Sequence, residues 1–98
     1  MGSAPGYRRP VIVVQGDALN RSLVATVVCV PLTSTLKWAD APGNVRLTAS
    51  ATGLDRTSIA NVSLIVALDK SQLTERVGRV PERKLELVLA GIDVVLGR

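Results

Sequence analysis

Apolar residues follow two rhythms along this chain, one suited to strands and one to a helix. RPVIVVQ, 9–15, is a nearly continuous apolar run opened by proline, which is tolerated at the first position of a strand. LVATVVCVPL, 23–32, repeats the pattern and predicts a second buried strand, stopped by Pro31. NVRLTAS, 44–50, instead alternates Val45, Leu47 and Ala49 with Arg46 and Thr48, so one face points in and the other out. IANVSLIVAL, 59–68, predicts the next strand, and RVGRV, 76–80, a short last one. Then the period changes. In PERKLELVLAGIDVVLGR, 81–98, Leu85, Val88, Leu89, Ile92 and Leu96 recur at spacings of three and four, which predicts an amphipathic helix with Pro81 near its first turn and Gly97 near its stop.

Between these elements lie turn residues: MGSAPGY, 1–7, reads as a loop, and GDALNRS and ATGLDRTS carry turn chemistry. TSTLKWADAPG, 33–43, is a polar connection long enough to predict a working loop. Four or five strands closed by one helix predict a mainly β (α+β) fold, a small curled sheet or barrel with the helix packed on it. At 98 residues the chain suits one domain, 1–98, with a modest core.

Composition narrows the chemistry. Apolar residues make up 47 % of the chain but aromatics only 2 %, so Val, Leu, Ile and Ala must build the core. With no histidine and a single cysteine, Cys29, set in an apolar run, neither a His/Cys zinc site nor a Ser-His or Cys-His nucleophile pair can be assembled. Cys29 reads as a small buried hydrophobe, and a lone cysteine allows no disulfide within the chain, which fits a reducing compartment. The apolar runs are too short to span a bilayer and the N-terminus lacks the features of a signal peptide, so a soluble, cytoplasmic protein without membrane contact is expected. The carboxylates Asp17, Asp40, Asp55 and Asp69 fall in turns, where a turn-forming role is the simpler reading.

Net charge is +4, and nine of the twelve cations are arginine. Guanidinium offers a planar fork suited to phosphate or carboxylate, although a mildly basic solvated surface accounts for the charge equally well. Two positions stand out. If 9–15 and 23–32 are antiparallel neighbours, the start of the first lies beside the end of the second, so Arg9 and Thr33 meet at one edge. The plainer readings are that Arg9 caps a turn or pairs with Asp17, and that Thr33 caps a loop.

Four segments, in order, carry a resemblance: GSAPGYRRPVIVVQGD, VCVPLTST, GLDRTSI and ALDKSQLTERVGRV. Together they resemble the MazF/PemK/Kid family of toxin endoribonucleases, whose opening reads G-S-E-x-G-x-R-P-V-x-V-x-Q. The resemblance implies an SH3-like small barrel of the MazF/Kid/CcdB type with a C-terminal amphipathic helix, a homodimer, a cognate antitoxin partner, and cofactor-free, metal-independent cleavage of single-stranded RNA at a short motif. Its catalytic arginine falls on Arg9 and its catalytic threonine on Thr33. Bases would be read by Tyr7, Gln15, Ser34, Trp38 and Asn44, with Arg8 and Lys37 adding charge; core-filling roles for Tyr7 and Trp38 are the alternative.

The chain departs from that pattern in three places. It starts at the loop that follows the family's usual first strand, Ala4 stands where G-S-E has its acid, and Ser63-Leu64 replaces a frequent E-Q. These departures define two competing expectations. One is a binding or regulatory module without activity, and the other is a same-fold toxin acting on a protein such as gyrase, as the CcdB group does.

Overall fold

The computed structural model describes residues 9–98; the loop expected over 1–7 lies outside them. In order, it forms β1 (Val11–Val13), the one-turn helix α1 (Asp17–Asn20), β2 (Thr26–Thr33), a 3-10 turn (Leu36–Asp40), β3 (Val45–Leu47), α2 (Ala49–Thr52), β4 (Ser58–Ala60), a 3-10 turn (Val62–Leu64), β5 (Val66–Asp69), a 3-10 turn (Lys70–Gln72) and α3 (Glu82–Leu96). This is an α+β fold: one antiparallel five-stranded sheet and a C-terminal helix.

The long strand β2 organises the sheet. One of its edges pairs with β1, with Val11 opposite Pro31 and Val13 opposite Cys29. Its other edge is divided. β5 takes the first half, from Thr26 opposite Asp69 to Cys29 opposite Val66, and β4 takes the end, Leu32 opposite Ala60 and Thr33 opposite Ile59. β3 then pairs outside β4.

Pro31 therefore does not stop the second strand but lies within it. Leu32 donates to the Pro10 carbonyl across the β1 edge, so the backbone of Pro31 faces the other edge, where its carbonyl accepts from Asn61 at 2.9 Å. That is the gap between the end of β4 and the start of β5, so the missing N–H falls where the ladder changes partner. Burial changes phase here too: Val27 and Cys29 are buried, then Val30 and Leu32.

The single strand expected over 59–68 is two strands, because the 3-10 turn at Val62–Leu64 lifts the chain out between them. Five residues, 61–65, thus stand opposite only two of β2, 30 and 31. The strand expected over 44–50 ends at Leu47. Thr48 accepts the Ala51 N–H with its hydroxyl and starts α2, and Gly53, at φ +82°, ends it. RVGRV joins no strand: Gly78 lies so close to α2 that a Cβ there would come within 3.0 Å of the Thr52 carbonyl oxygen.

The C-terminal helix forms where its period predicts, with Pro81 as N-cap and Gly97 in the left-handed conformation behind it. Val88 is fully buried against a core of Ile12, Val30, Leu32, Leu47, Ala60 and Val62, with Leu85 and Ile92 at its margin. Leu89 and Leu96 of the expected buried face remain 41 % and 61 % exposed. The helix can approach because two glycines meet: a Cβ on Gly91 would lie 2.0 Å from the Gly43 carbonyl oxygen, and Gly43 has φ +83°.

Gly91→Ala should therefore destabilise the fold by about 2–4 kcal/mol, since the clash is with backbone that cannot rotate away. Gly16→Ala is the control: its Cβ would meet nothing within 4 Å and its φ of −62° suits any residue, so a change below about 1 kcal/mol is expected. Urea unfolding of both variants measures the difference, and equal stabilities would contradict the contact.

Candidate active site

The end of β2 opens onto a cleft of about 510 Å³ lined by Arg9, Pro10, Leu32, Thr33, Ser34, Thr35, Leu54, Asp55, Arg56 and Ser58. Its two flanks follow from register. Continuing the β1–β2 pairing outward from Val11 and Pro31 sets Arg9 opposite Thr33, and the Leu32 to Pro10 hydrogen bond, 3.0 Å, shows that the pairing persists that far. On the other side Thr33 faces Ile59, which brings Ser58 and Arg56 beside the Thr33-Ser34-Thr35 run.

Arg9 and Thr33 thus stand at one edge, as antiparallel neighbours require, and both line the cleft. The Thr33 hydroxyl oxygen accepts the Thr35 N–H at 3.1 Å, which fixes the side chain and leaves its hydroxyl hydrogen to donate. Among the described residues, two guanidinium groups and one carboxylate line the walls. Arg56 pairs with Asp55 through Nε at 3.6 Å, and both are exposed, so water and salt weaken the pair. Buried Ser58 and the apolar Leu32 and Leu54 complete the lining. A guanidinium, a hydroxyl held by the Thr35 N–H and an open mouth suit an extended phosphodiester.

Of the residues expected to read bases, Ser34 joins the cleft. Tyr7 and Arg8 lie outside the described residues. Trp38 is not a core filler: it is 47 % exposed on the 3-10 turn leaving the cleft, with Lys37 Nζ 5.2 Å from its ring centroid. Gln15, six residues along the chain from Arg9 at the far end of β1, uses its amide locally. Its Nε2 donates to Asn20 Oδ1 and the Thr26 carbonyl, and its Oε1 accepts from Val28 N at 3.2 Å.

Asn44 is likewise committed to the fold. Its Oδ1 accepts from Val62 N at 2.9 Å, and its Nδ2 donates to the Trp38 carbonyl at 2.9 Å and to Asn61 Oδ1 at 3.4 Å. It lies beside a separate depression of about 430 Å³ between the Gly43–Arg46 stretch and α3.

Arg56 and Ser58 are cleft residues that single-position reasoning missed. The only signal was the segment GLDRTSI itself, read as turn chemistry. Among the described residues no group of three His, Cys, Asp or Glu is placed to hold a metal ion. No helix among them is long and apolar enough to cross a membrane. Cys29 is fully buried, and that burial pushes its thiol pKa above the ordinary value.

Comparison with known proteins gives a consistent picture. A family model described as PemK-like, MazF-like toxin of type II toxin-antitoxin system matches residues 1–96. The chain is 47 % identical over 95 residues to endoribonuclease MazF6 of Mycobacterium tuberculosis, covering 97 % of this chain and 83 % of that protein. It is 32 % identical over 96 residues to endoribonuclease MazF of Staphylococcus saprophyticus, covering 98 % and 79 %. A solved mycobacterial endoribonuclease in complex with its cognate antitoxin superposes with a TM-score of 0.77 at 29 % identity, over 94 % of this chain and 84 % of that one. The Mycobacterium tuberculosis toxin MazF-mt6 shares the fold, with a TM-score of 0.80 at 16 % identity over 91 % and 86 %.

Two expectations follow from the side chains. Asn44→Ala should lower stability by about 1–3 kcal/mol, because the Val62 N–H loses its acceptor; affinity for a single-stranded oligonucleotide should not change in the folded fraction. Cys29, with a raised pKa, holds less thiolate at any given pH than a free cysteine. Iodoacetamide at pH 8 should label it only after denaturant is added. Rapid labelling of native protein, read by mass spectrometry, would contradict its burial.

Proposed function

The chain belongs to the PemK-like, MazF-like toxins of type II toxin-antitoxin systems, and from that membership we propose that it is a sequence-selective endoribonuclease acting on single-stranded RNA in this cleft. The observation that carries the reading is that Arg9 and Thr33, from neighbouring strands, line one cleft in a chain similar to relatives named endoribonucleases.

Cleavage begins as the ribose 2′-oxygen attacks the adjacent phosphorus. The 2′-hydroxyl proton passes to water, the phosphorus–5′-oxygen bond breaks, and the departing 5′-oxygen takes up a proton, leaving a 2′,3′-cyclic phosphate and a 5′-hydroxyl. Negative charge grows on the non-bridging oxygens during the attack. Arg9 and the Thr33 hydroxyl donate to those oxygens, and donors fixed in place stabilise the transition state more than the ground state. Arginine stays protonated, so Arg9 is a charge clamp and donor, not a base.

Two partners belong to the reading. A cognate antitoxin restrains the enzyme, which is supported by the antitoxin-bound state of a structural relative. A second copy of the chain completes a homodimer, which is supported by the apolar residues that α3 leaves exposed, Leu87, Leu89, Val94, Val95 and Leu96. The cytoplasm, where single-stranded message is available, is the compartment this activity requires.

Purified protein incubated with a long single-stranded RNA in EDTA should cut at a recurring short motif, mapped by primer extension. Arg9→Ala should lower the rate by roughly 10²–10³-fold and Thr33→Ala by a comparable factor. A 2′-deoxy substitution at the cleaved nucleotide should block the cut. Intact RNA from well-folded protein would overturn the reading and favour a binding module.

A further inference from the structure

We propose that Arg56 is a second phosphate-binding residue, holding a backbone phosphate next to the one clamped by Arg9. This deepens the endoribonuclease reading and rests on it for the identity of the substrate.

β2 ends in three consecutive hydroxyl residues, Thr33, Ser34 and Thr35, and an arginine approaches from each side. Arg9 arrives on the β1 side. Arg56 arrives on the β4 side, two residues before Ser58, in the connection that leads from α2 into β4. Both line the same cleft. Neighbouring strands are about 4.8 Å apart, so the two backbones flanking β2 are separated by about 10 Å. Two long side chains reaching inward across that gap can grip neighbouring phosphates of one extended strand while the hydroxyls lie between them.

Charge supports the assignment. The Asp55 carboxylate is the acidic group in the cleft lining, and it pairs with Arg56 at 3.6 Å across an exposed, adjacent-residue contact. Such a pair is weak, and a phosphate offering two oxygens to the guanidinium fork competes well with it. Asp55 therefore opposes anion binding, and removing its charge should favour it.

The test uses the full chain and a mixed-sequence 12-nucleotide single strand, 2′-deoxy throughout, which keeps every phosphate but lacks the nucleophile. Its affinity is followed by fluorescence anisotropy between 20 and 200 mM NaCl. Arg56→Ala should weaken binding about tenfold at low salt and reduce the slope of log affinity against log salt by about 0.7, the value for one phosphate contact on a single strand. Arg56→Lys should keep the slope and recover part of the affinity. Asp55→Asn should tighten binding. On cleavable RNA, Arg56→Ala should raise KM with kcat within threefold, in contrast to Arg9→Ala, which lowers kcat.

Unchanged affinity and slope in Arg56→Ala of normal melting temperature would overturn the assignment. So would an Asp55→Asn variant that binds no tighter, and this second arm holds even if Arg56→Ala fails to fold. The two readings fail separately. A wild-type protein that binds the strand in an Arg56-dependent way but leaves RNA intact defeats only the nuclease. One that cuts RNA regardless of Arg56 defeats only this inference.

Discussion

The fold depends on β2 hydrogen-bonding along both edges with a proline inside it. Its even-numbered residues face β1, as Val14 donating to Val28 and Leu32 donating to Pro10 show. Its odd-numbered residues face β5 and β4, as Lys70 donating to Ala25 and Asn61 donating to Pro31 show. Pro31 has no N–H to offer on that second edge. One continuous partner strand would leave a carbonyl unanswered there, whereas two partners with a turn between them place the break where no donor exists. Along β2, pairing with β5 stops at Cys29 before the proline and pairing with β4 starts at Leu32 after it, while the 3-10 turn that joins the end of β4 to the start of β5 spans the break. The last residues of β2 are thus left with β1 on one side and β4 on the other. That is what brings Arg9, Thr33 and Arg56 to a single cleft.

A second constraint closes the other side of the sheet. The buried core is built from aliphatic side chains, and the chain has no phenylalanine to fill a wide gap. Small side chains reach native packing density only if the elements carrying them come close. The Gly43–Gly91 contact permits that approach. It lets α3 settle until Val88 is fully buried against the sheet. The same glycine on the Gly43–Arg46 stretch adjoins Asn44, whose amide fastens the turn after β4. Helix seat and strand break are therefore linked through a few residues.

The legible parts of the sequence were those governed by local periodicity. The helix over 82–96 was readable because its spacing of three and four needs no knowledge of partners, and its glycine stop lies within the same stretch. Strand ends were misread where a side chain or a partner decided them. Thr48 turned an apparent strand into a helix cap, and the 59–68 run concealed a turn because Asn61, Val62, Ser63 and Leu64 alternate polar and apolar as a half-buried strand would, with Val62 itself buried. The site divides in the same way. Arg9 and Thr33 were found because adjacent strands are commonly paired, so one topological step sufficed. Arg56 and Ser58 were not, because their place depends on β4 pairing with the far end of β2, a contact that leaves no local mark. Gln15 and Asn44 looked like recognition groups because amides serve recognition and backbone ties equally well, and only the fold shows that these two bind backbone.

Groups at the cleft and on the turn leading from it sit on different kinds of backbone, and that difference has chemical meaning. Thr33 ends β2 and Arg9 lies two residues before β1, next to the Pro10 carbonyl that accepts from Leu32, so the backbones carrying them are set by a ladder that cannot slip one residue without turning buried side chains to the wrong face. Donors fixed in this way need no reorganisation as charge develops on a phosphate, which is the condition for strong electrostatic stabilisation. Trp38 and Lys37 stand on a short 3-10 turn outside the cleft lining, exposed and in cation–π contact with each other, and on the proposed reading they offer a base a surface to stack on. A change in that turn leaves the register of the ladder intact. If the proposed roles hold, this separation between strand and turn lets one scaffold keep its phosphate chemistry while its recognition of bases varies.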